Sequence, residues 1–248
     1  MKWRLVELET HKAYMNMALD EAVSEGVSKG TSPPTIRFYT WKPSAISIGY
    51  FQSLADEVDL EQCIDSGVDW VRRRTGGGAV YHDELGEITY SVIAPESAFP
   101  KDIIKSYKLI CGWIIDGLKE LGLRAEFKPI NDIVVNGKKI SGNAQTRRGG
   151  VLLQHGTILY TVDVRRMFSL LKVADAKISD KVIASAEERV TSLSDQCTAS
   201  REELYEALKK TFSVGKEFEK GGWSAEELTR AKELSNLRYS SAEWNEMR

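Results

Sequence analysis

The chain has 248 residues, 42% hydrophobic and 28% charged, with a formal net charge of −2, the balance of an ordinary globular domain that buries about 70–75% of its unfolded surface without staples. That charge argues against a strongly basic nucleic-acid surface and against a polybasic membrane anchor. Cys63, Cys111 and Cys197 lie outside any C-x-x-C spacing and no long apolar run occurs, which disfavours a disulfide framework, a zinc site and a spanning helix.

The start, MKWRLVELETHK, lacks the apolar stretch of a secretory signal, so a cytoplasmic protein is expected. Trp3 to Leu8 alternates as a strand does, and Met15, Ala18, Leu19, Ala22 and Val23 repeat at helical spacing across Ala13 to Ser28. After Ser32-Pro33-Pro34, strands are predicted at Thr35 to Trp41 and Ala45 to Tyr50 around Lys42-Pro43. A helix follows at Asp56 to Ser66 with Leu60, Cys63 and Ile64 inward, then a strand at Asp69 to Arg73. Strands resume at Ala79 to Tyr81 and Ile88 to Ala94, and the clearest helix spans Lys101 to Leu121, with Ile103, Ile104, Tyr107, Ile110, Cys111, Ile114, Ile115 and Leu118 as its stripe. Asn136-Gly137 supplies a two-residue hairpin turn between Ile133 to Val135 and Lys139 to Ile140, and Val151 to Val162 is a further strand. The remainder is mainly helical, with capping boxes at Ser200/Glu203 and Ser224/Glu227. Hairpins mixed with helices predict an α+β domain with a mixed, largely antiparallel sheet. One domain is expected over residues 1–248, with a weak sub-boundary near 191–200.

Two stretches can carry chemistry. Arg72, Arg73 and Arg74 precede Thr75 and the glycines Gly76, Gly77 and Gly78, and by composition this is an anion cradle, in which backbone N–H groups approach a ligand and guanidinium groups add charge-assisted hydrogen bonds. A plain hairpin turn with solvated arginines has the same spacing. Neither G-x-x-x-x-G-K-[ST] nor G-x-G-x-x-G occurs, which argues against a P-loop or Rossmann site. In the second stretch, Asn131-Asp132 leads through the turn to Lys138-Lys139 and Ser141-Gly142-Asn143-Ala144. Alternation on a strand sends the two lysines to opposite faces, so only one can serve a pocket. His82 and His155 each adjoin a strand without a metal-ligand spacing, which favours hydrogen-bonding or packing roles over zinc.

Taken in order, RRRTGGGAVYHD, NDIVVNGKKISGNA and LLQHGTILY resemble the lipoate-protein ligase family, itself similar in fold to biotin ligases and octanoyltransferases. MNMALDEAV resembles the family's first helix and RAKELSNLRYSSAEWN the end of its catalytic domain. The resemblance implies a class II synthetase-like α+β core and an ATP-dependent ligase that converts lipoate to lipoyl-AMP, then lipoylates a lysine of an acceptor protein. Position by position, Lys139 matches the family's catalytic lysine and Arg73 an arginine on the adenylate. Gly78, Ala79, Val80 and Tyr81 match the loop that closes on nucleotide and lipoyl group; Asn131 and Asp132 match polar residues near the phosphates. His82 and His155 match pocket histidines, and Thr75 stands where the family often has serine. With Gly76, Gly77, Gly142 and Ala144 these form the expected ATP and lipoyl-AMP site, Asp132 being the candidate Mg²⁺ ligand.

The implied partners are a lipoyl-domain acceptor, from a 2-oxoacid dehydrogenase E2 or a glycine-cleavage H protein, and, because the chain stops where the family's catalytic domain stops, a separately encoded accessory small subunit. Nucleic acid and membrane are not expected partners. One departure matters: Ala144 to Arg147 and Leu152 to Gly156 look closer to the octanoyltransferase branch, which transfers from a thioester through a cysteine in the loop before the family lysine. Arg124 to Ile133 contains no cysteine, so the ligase reading is preferred over an octanoyl or lipoyl transferase. A non-catalytic lipoyl-binding protein is a further alternative, disfavoured by Lys139 and the arginine run, which a neutral dithiolane tail does not need.

Overall fold

A computed structural model describes residues 1–172 and 180–248. The strands are β1 (Lys2–His11), β2 (Thr35–Trp41), β3 (Ala45–Ile48), β4 (Asp69–Arg72), β5 (Val80–His82), β6 (Glu87–Pro95), β7 (Ala125–Lys128), β8 (Asp132–Val135), β9 (Lys138–Arg148), β10 (Val151–Leu159) and β11 (Glu217–Lys220). The helices are α1 (Ala13–Lys29), α2 (Leu54–Glu57), α3 (Leu60–Asp65), α4 (Ile103–Glu120), α5 (Val164–Leu170), α6 (Asp180–Glu187), α7 (Leu193–Gln196), α8 (Arg201–Ser213), α9 (Ala225–Leu234) and α10 (Ala242–Asn245). Eight strands form the main sheet in the order β11-β1-β2-β6-β10-β9-β8-β7, and β4-β3-β5 form a small one. Parallel pairs occur at β11–β1, β1–β2 and β3–β4, and the rest are antiparallel, so the sheet is mixed and largely antiparallel as expected.

Strand alternation divides the main sheet into two dissimilar faces. On one, Ile36, Phe38, Ile88, Tyr90, Val92, Leu152 and Ile158 pack with Ile110, Ile114 and Leu118 of α4 and Leu204, Leu208 and Phe212 of α8. This is the principal core, and its buried aliphatic and aromatic surface is the main stabilising term. The other face meets α1, whose Met17, Leu19 and Ala22 pack with Tyr39 and Trp41 and with Ala231 and Leu234 of α9. That face also carries Arg37, Glu87, Thr89, Ser91, His155 and Thr157, all buried. A polar, buried sheet face beneath a helix is costly unless every group is partnered, which is where the site lies.

Asn136 and Gly137 both adopt positive φ, 51° and 79°, as a two-residue hairpin demands. Both C-terminal capping boxes form, and Glu227 of the second also pairs with the buried Arg4 at 2.6 Å, fixing α9 to β1. Two expectations change. The single helix over 56–66 is instead α2 and α3, because Asp59 caps a fresh start by accepting from the Gln62 amide at 3.1 Å. The restart shifts the helical phase, burying Cys63 but leaving Ile64 66% exposed. Ile103 and Ile104 are likewise exposed, since Asp102 caps α4 there and its first turn precedes contact with the sheet.

Candidate active site

A cavity of about 300 Å³ opens on the α1 face, large enough for a small ligand. Its walls come from α1 (Met17), β2 (Tyr39, Trp41), the turn between β4 and β5, the β9–β10 pair and the start of α5. Of the residues singled out in the sequence, Arg73, Gly77, Gly78, Ala79, Val80, Tyr81, His82, Asn131, Lys139, Gly142, Ala144 and His155 line it. Thr75, Gly76 and Asp132 do not line it but contact residues that do: Thr75 bonds His155, the Gly76 carbonyl accepts from Arg73, and Asp132 pairs with Lys139.

The arginine run does not offer free guanidinium groups, which corrects the cradle inferred from composition. Arg72 is buried and donates to the carbonyls of Gly49, Tyr50 and Gln52 and to those of Trp244 and Asn245. Arg74 pairs with Glu21 at 3.1 Å. Arg73 spends all five N–H donors on protein: Nε on Thr75 Oγ1 at 3.2 Å, Nη1 on Ser47 O at 2.9 Å and Ser47 Oγ at 3.1 Å, Nη2 on Gly76 O at 2.9 Å and Gly78 O at 2.7 Å. Burial lowers its pKa to about 10, still charged at neutral pH. Drawing two glycine carbonyls inward is how one buried cation shapes the loop, and it leaves the cavity side to backbone and small side chains. Glycine is required at both points of closest approach. A Cβ on Gly49 would meet Gly77 O at 2.0 Å, and Gly77 has φ +97°.

Both histidines are wired to a carboxylate on one side and a hydroxyl on the other. His82 Nδ1 lies 2.7 Å from Glu87 Oε1 and its Nε2 2.8 Å from Ser47 Oγ, with the ring stacked 4.0 Å from Trp41. His155 Nδ1 lies 3.2 Å from Asp20 Oδ2 and its Nε2 2.7 Å from Thr75 Oγ1. A carboxylate facing Nδ1 places the proton there, so each Nε2 accepts from its hydroxyl. Burial holds the His155 pKa below the usual imidazole value although Asp20 pulls it upward. Since Ser47 and Thr75 both accept from Arg73, a single chain runs Glu87–His82–Ser47–Arg73–Thr75–His155–Asp20 and ties the glycine loop to β6 and α1.

Lys139 reaches the cavity through a β-bulge. Ser141 pairs with Ile133 and Lys139 with Val134, leaving Ile140 as the extra residue. The bulge puts Lys139 and Gly142 on one face although they are three apart. A Cβ on Gly142 would meet Lys139 Cε at 2.9 Å and Nζ at 3.0 Å, so the missing side chain is the space the lysine occupies. Its amine pairs with Asp132 Oδ1 at 2.7 Å, and the side chain is 43% exposed. Lys138 points away and donates to Glu187 O at 3.1 Å, as alternation required. Asn131 is held by reciprocal bonds with Asn143, whose Nδ2 donates to Asn131 O at 2.9 Å.

Sequence reasoning missed Asp20, Ser47, Glu87 and Trp41. A signal existed for Asp20: it lies three residues after Met17 and four before Ser24, on the buried side of α1, where a carboxylate needs a partner. It takes Arg37 at 3.2 Å and Ser91 at 2.8 Å besides His155. None of the three cysteines lines the cavity. Cys63 packs under the small sheet and Cys111 in the principal core, where burial pushes their thiols up to about 11 and about 12; Cys197 follows α7.

The sequence profile of the lipoyl protein ligase A/B catalytic domain matches residues 12–213. The octanoyltransferase LipM of Brevibacillus brevis is 38% identical over 98% of this chain and 98% of that protein. A bipartite lipoate protein ligase from Thermoplasma acidophilum, solved in a study that includes its E2 lipoyl domain, superposes with TM-score 0.89 at 35% identity, covering 99% of this chain and 96% of that one. A lipoate-protein ligase A bound with ATP superposes with TM-score 0.84 at 32% identity, covering 99% and 98%.

Proposed function

Since this chain belongs to the lipoyl protein ligase A/B catalytic-domain family, and is thereby an enzyme of lipoyl or octanoyl attachment, we propose that it is an ATP-dependent ligase that forms lipoyl-AMP and passes the acyl group to a lysine of an acceptor lipoyl domain. One observation supports this choice: Lys139, paired with Asp132, lines the cavity, and none of the three cysteines does. A thioester-dependent transferase of the thiol type needs a thiolate within reach of its acyl donor. Thiols raised to about 11 and 12 by burial are protonated at neutral pH.

In the proposed first step a lipoate carboxylate oxygen bonds to the α-phosphorus of ATP and pyrophosphate leaves. The Lys139 ammonium, held by Asp132, offsets charge on the phosphoryl oxygens, and the glycine loop contributes close backbone approach. In the second, the acceptor amine bonds to the anhydride carbonyl, AMP leaves, and Lys139 stabilises the oxyanion. Mg²⁺ would supply further charge neutralisation, held by the nucleotide phosphates with Asp132 as its carboxylate, an ordinary donor set for that ion. Lys139→Ala should lower turnover by about 10²- to 10³-fold.

Lipoate-dependent exchange of pyrophosphate into ATP tests the reading. Because the archaeal relative is bipartite, the exchange is run with and without a candidate accessory chain, whose addition should raise the rate. The 38% identity to an octanoyltransferase favours a second reading, acyl transfer from a thioester. Exchange absent under both conditions, together with a mass gain of one octanoyl group after incubation with an octanoyl thioester, would establish that reading instead.

A further inference from the structure

Beside the glycine loop lies an aromatic surface with no role in the chemistry above. Phe51 is 69% exposed, and its ring edge lies 4.0 Å from where a Gly76 Cβ would stand. Tyr50 meets Phe51 edge-on at 5.1 Å and Trp244 at 5.9 Å. The turn that carries them is rigid: Tyr50 N donates to Thr75 O at 2.8 Å, and Arg72 holds the carbonyls of residues 49, 50 and 52. An exposed phenyl ring on a fixed turn costs solvation without any mobility to hide it.

Two guanidinium groups flank these rings. Arg148 lies 4.7 Å over Tyr50 and Arg248 5.2 Å over Phe51. Neither has a carboxylate partner among the described residues. Arg148 also borders a groove of about 370 Å³ with Lys29, Arg74 and Glu25, where Lys29 and Arg74 already pair with Glu25 and Glu21. Arginine stacked on an aromatic ring keeps its planar fork oriented outward, ready for a carboxylate, at little further entropic cost. Tyrosine, arginine and a well-supported aromatic anchor are also the composition of binding hot spots.

We infer that Phe51, Tyr50 and Arg148 form the docking surface for the acceptor, a small folded domain whose acidic side chains flank the lysine to be modified. The inference rests on the proposed reading for the presence of such an acceptor, and adds where it binds and by what chemistry. Unpaired cations call for an anionic partner. A chain of net charge −2 makes a nucleic acid the poorer match. Docking here sets the acceptor against the outer side of the loop whose inner side, at Gly77 and Gly78, lines the cavity.

The test is binding without ATP or lipoate, using the unmodified lipoyl domain of a 2-oxoacid dehydrogenase E2 component, titrated by calorimetry at two salt concentrations. Arg148→Glu and Phe51→Ala should each weaken binding by about tenfold or more, and wild-type affinity should fall with salt. In turnover the same variants should raise the acceptor KM while pyrophosphate exchange stays at the wild-type rate. Wild-type affinity in both variants overturns the inference, as does Arg148-dependent binding of oligothymidine in place of the lipoyl domain. Failure of exchange in the wild type, with Arg148-dependent binding intact, removes the ligase reading and leaves the docking surface standing.

Discussion

Replacing Gly142 with alanine isolates the position of one amine from everything else in the fold. The new methyl would sit 2.9 Å from Lys139 Cε and 3.0 Å from Nζ, whereas such contacts settle at about 3.5–4.0 Å. Lys139 must therefore retreat by about 0.5–1 Å, which a half-exposed flexible side chain can do without moving the backbone. Misplacement of a catalytic group by about 1 Å costs up to roughly 10²-fold, so a 10- to 100-fold loss in single-turnover formation of acyl-adenylate is expected. Stability should not follow. Gly142 does not have positive φ, and alanine at a compatible glycine position stabilises by about 0.4–1 kcal/mol through the unfolded chain. Rapid-quench kinetics paired with scanning calorimetry read both quantities. Wild-type kinetics in Gly142→Ala would refute the placement of Lys139 at the reacting atoms, and a sharply lowered Tm would refute the claim that the clash is local.

Asp20→Asn removes the charge facing the fully buried Arg37 and replaces one of the two carboxylate oxygens that accept from Arg37, Ser91 and His155 with a donor. Breaking a buried pair in this way costs about 3–5 kcal/mol, a Tm decrease of roughly 6–20 °C by calorimetry; a change below that range would show the network to be dispensable. His155 gives a pH prediction. Its folded pKa lies below the unfolded value, so as pH falls through about 6.5 the unfolded chain takes up the proton first and stability declines. Urea midpoints measured across that window should drop in the wild type and drop less in His155→Gln, and equal slopes would remove His155 as a source.

Much of the fold was legible because its signals are local. The apolar stripe of α4, the Asn136-Gly137 turn and the two C-terminal capping boxes each depend on a few adjacent residues. The break between α2 and α3 was not, since it turns on whether Asp59 prefers capping to continuing a helix. At the site, Lys139 and the glycine loop were visible as chemistry, and the single-lysine argument held through alternation. What alternation could not show was the bulge at Ile140, which decides that Lys139 shares a face with Gly142. The arginine run misled for a related reason. Charge is readable from sequence, but whether a guanidinium meets a ligand or a carbonyl depends on segments far away, such as Ser47 and Asn245.

Arg72 joins the end of the chain to a site built from its earlier part. Every wall of the cavity is encoded by Val190 or earlier, yet the brace behind its loop is completed by the carbonyls of Trp244 and Asn245 and by the Asn245 side chain on the Arg72 amide at 2.7 Å. Nε and Nη2 of Arg72 find their acceptors in this last turn of helix, which therefore supports, through one guanidinium, a pocket it never touches.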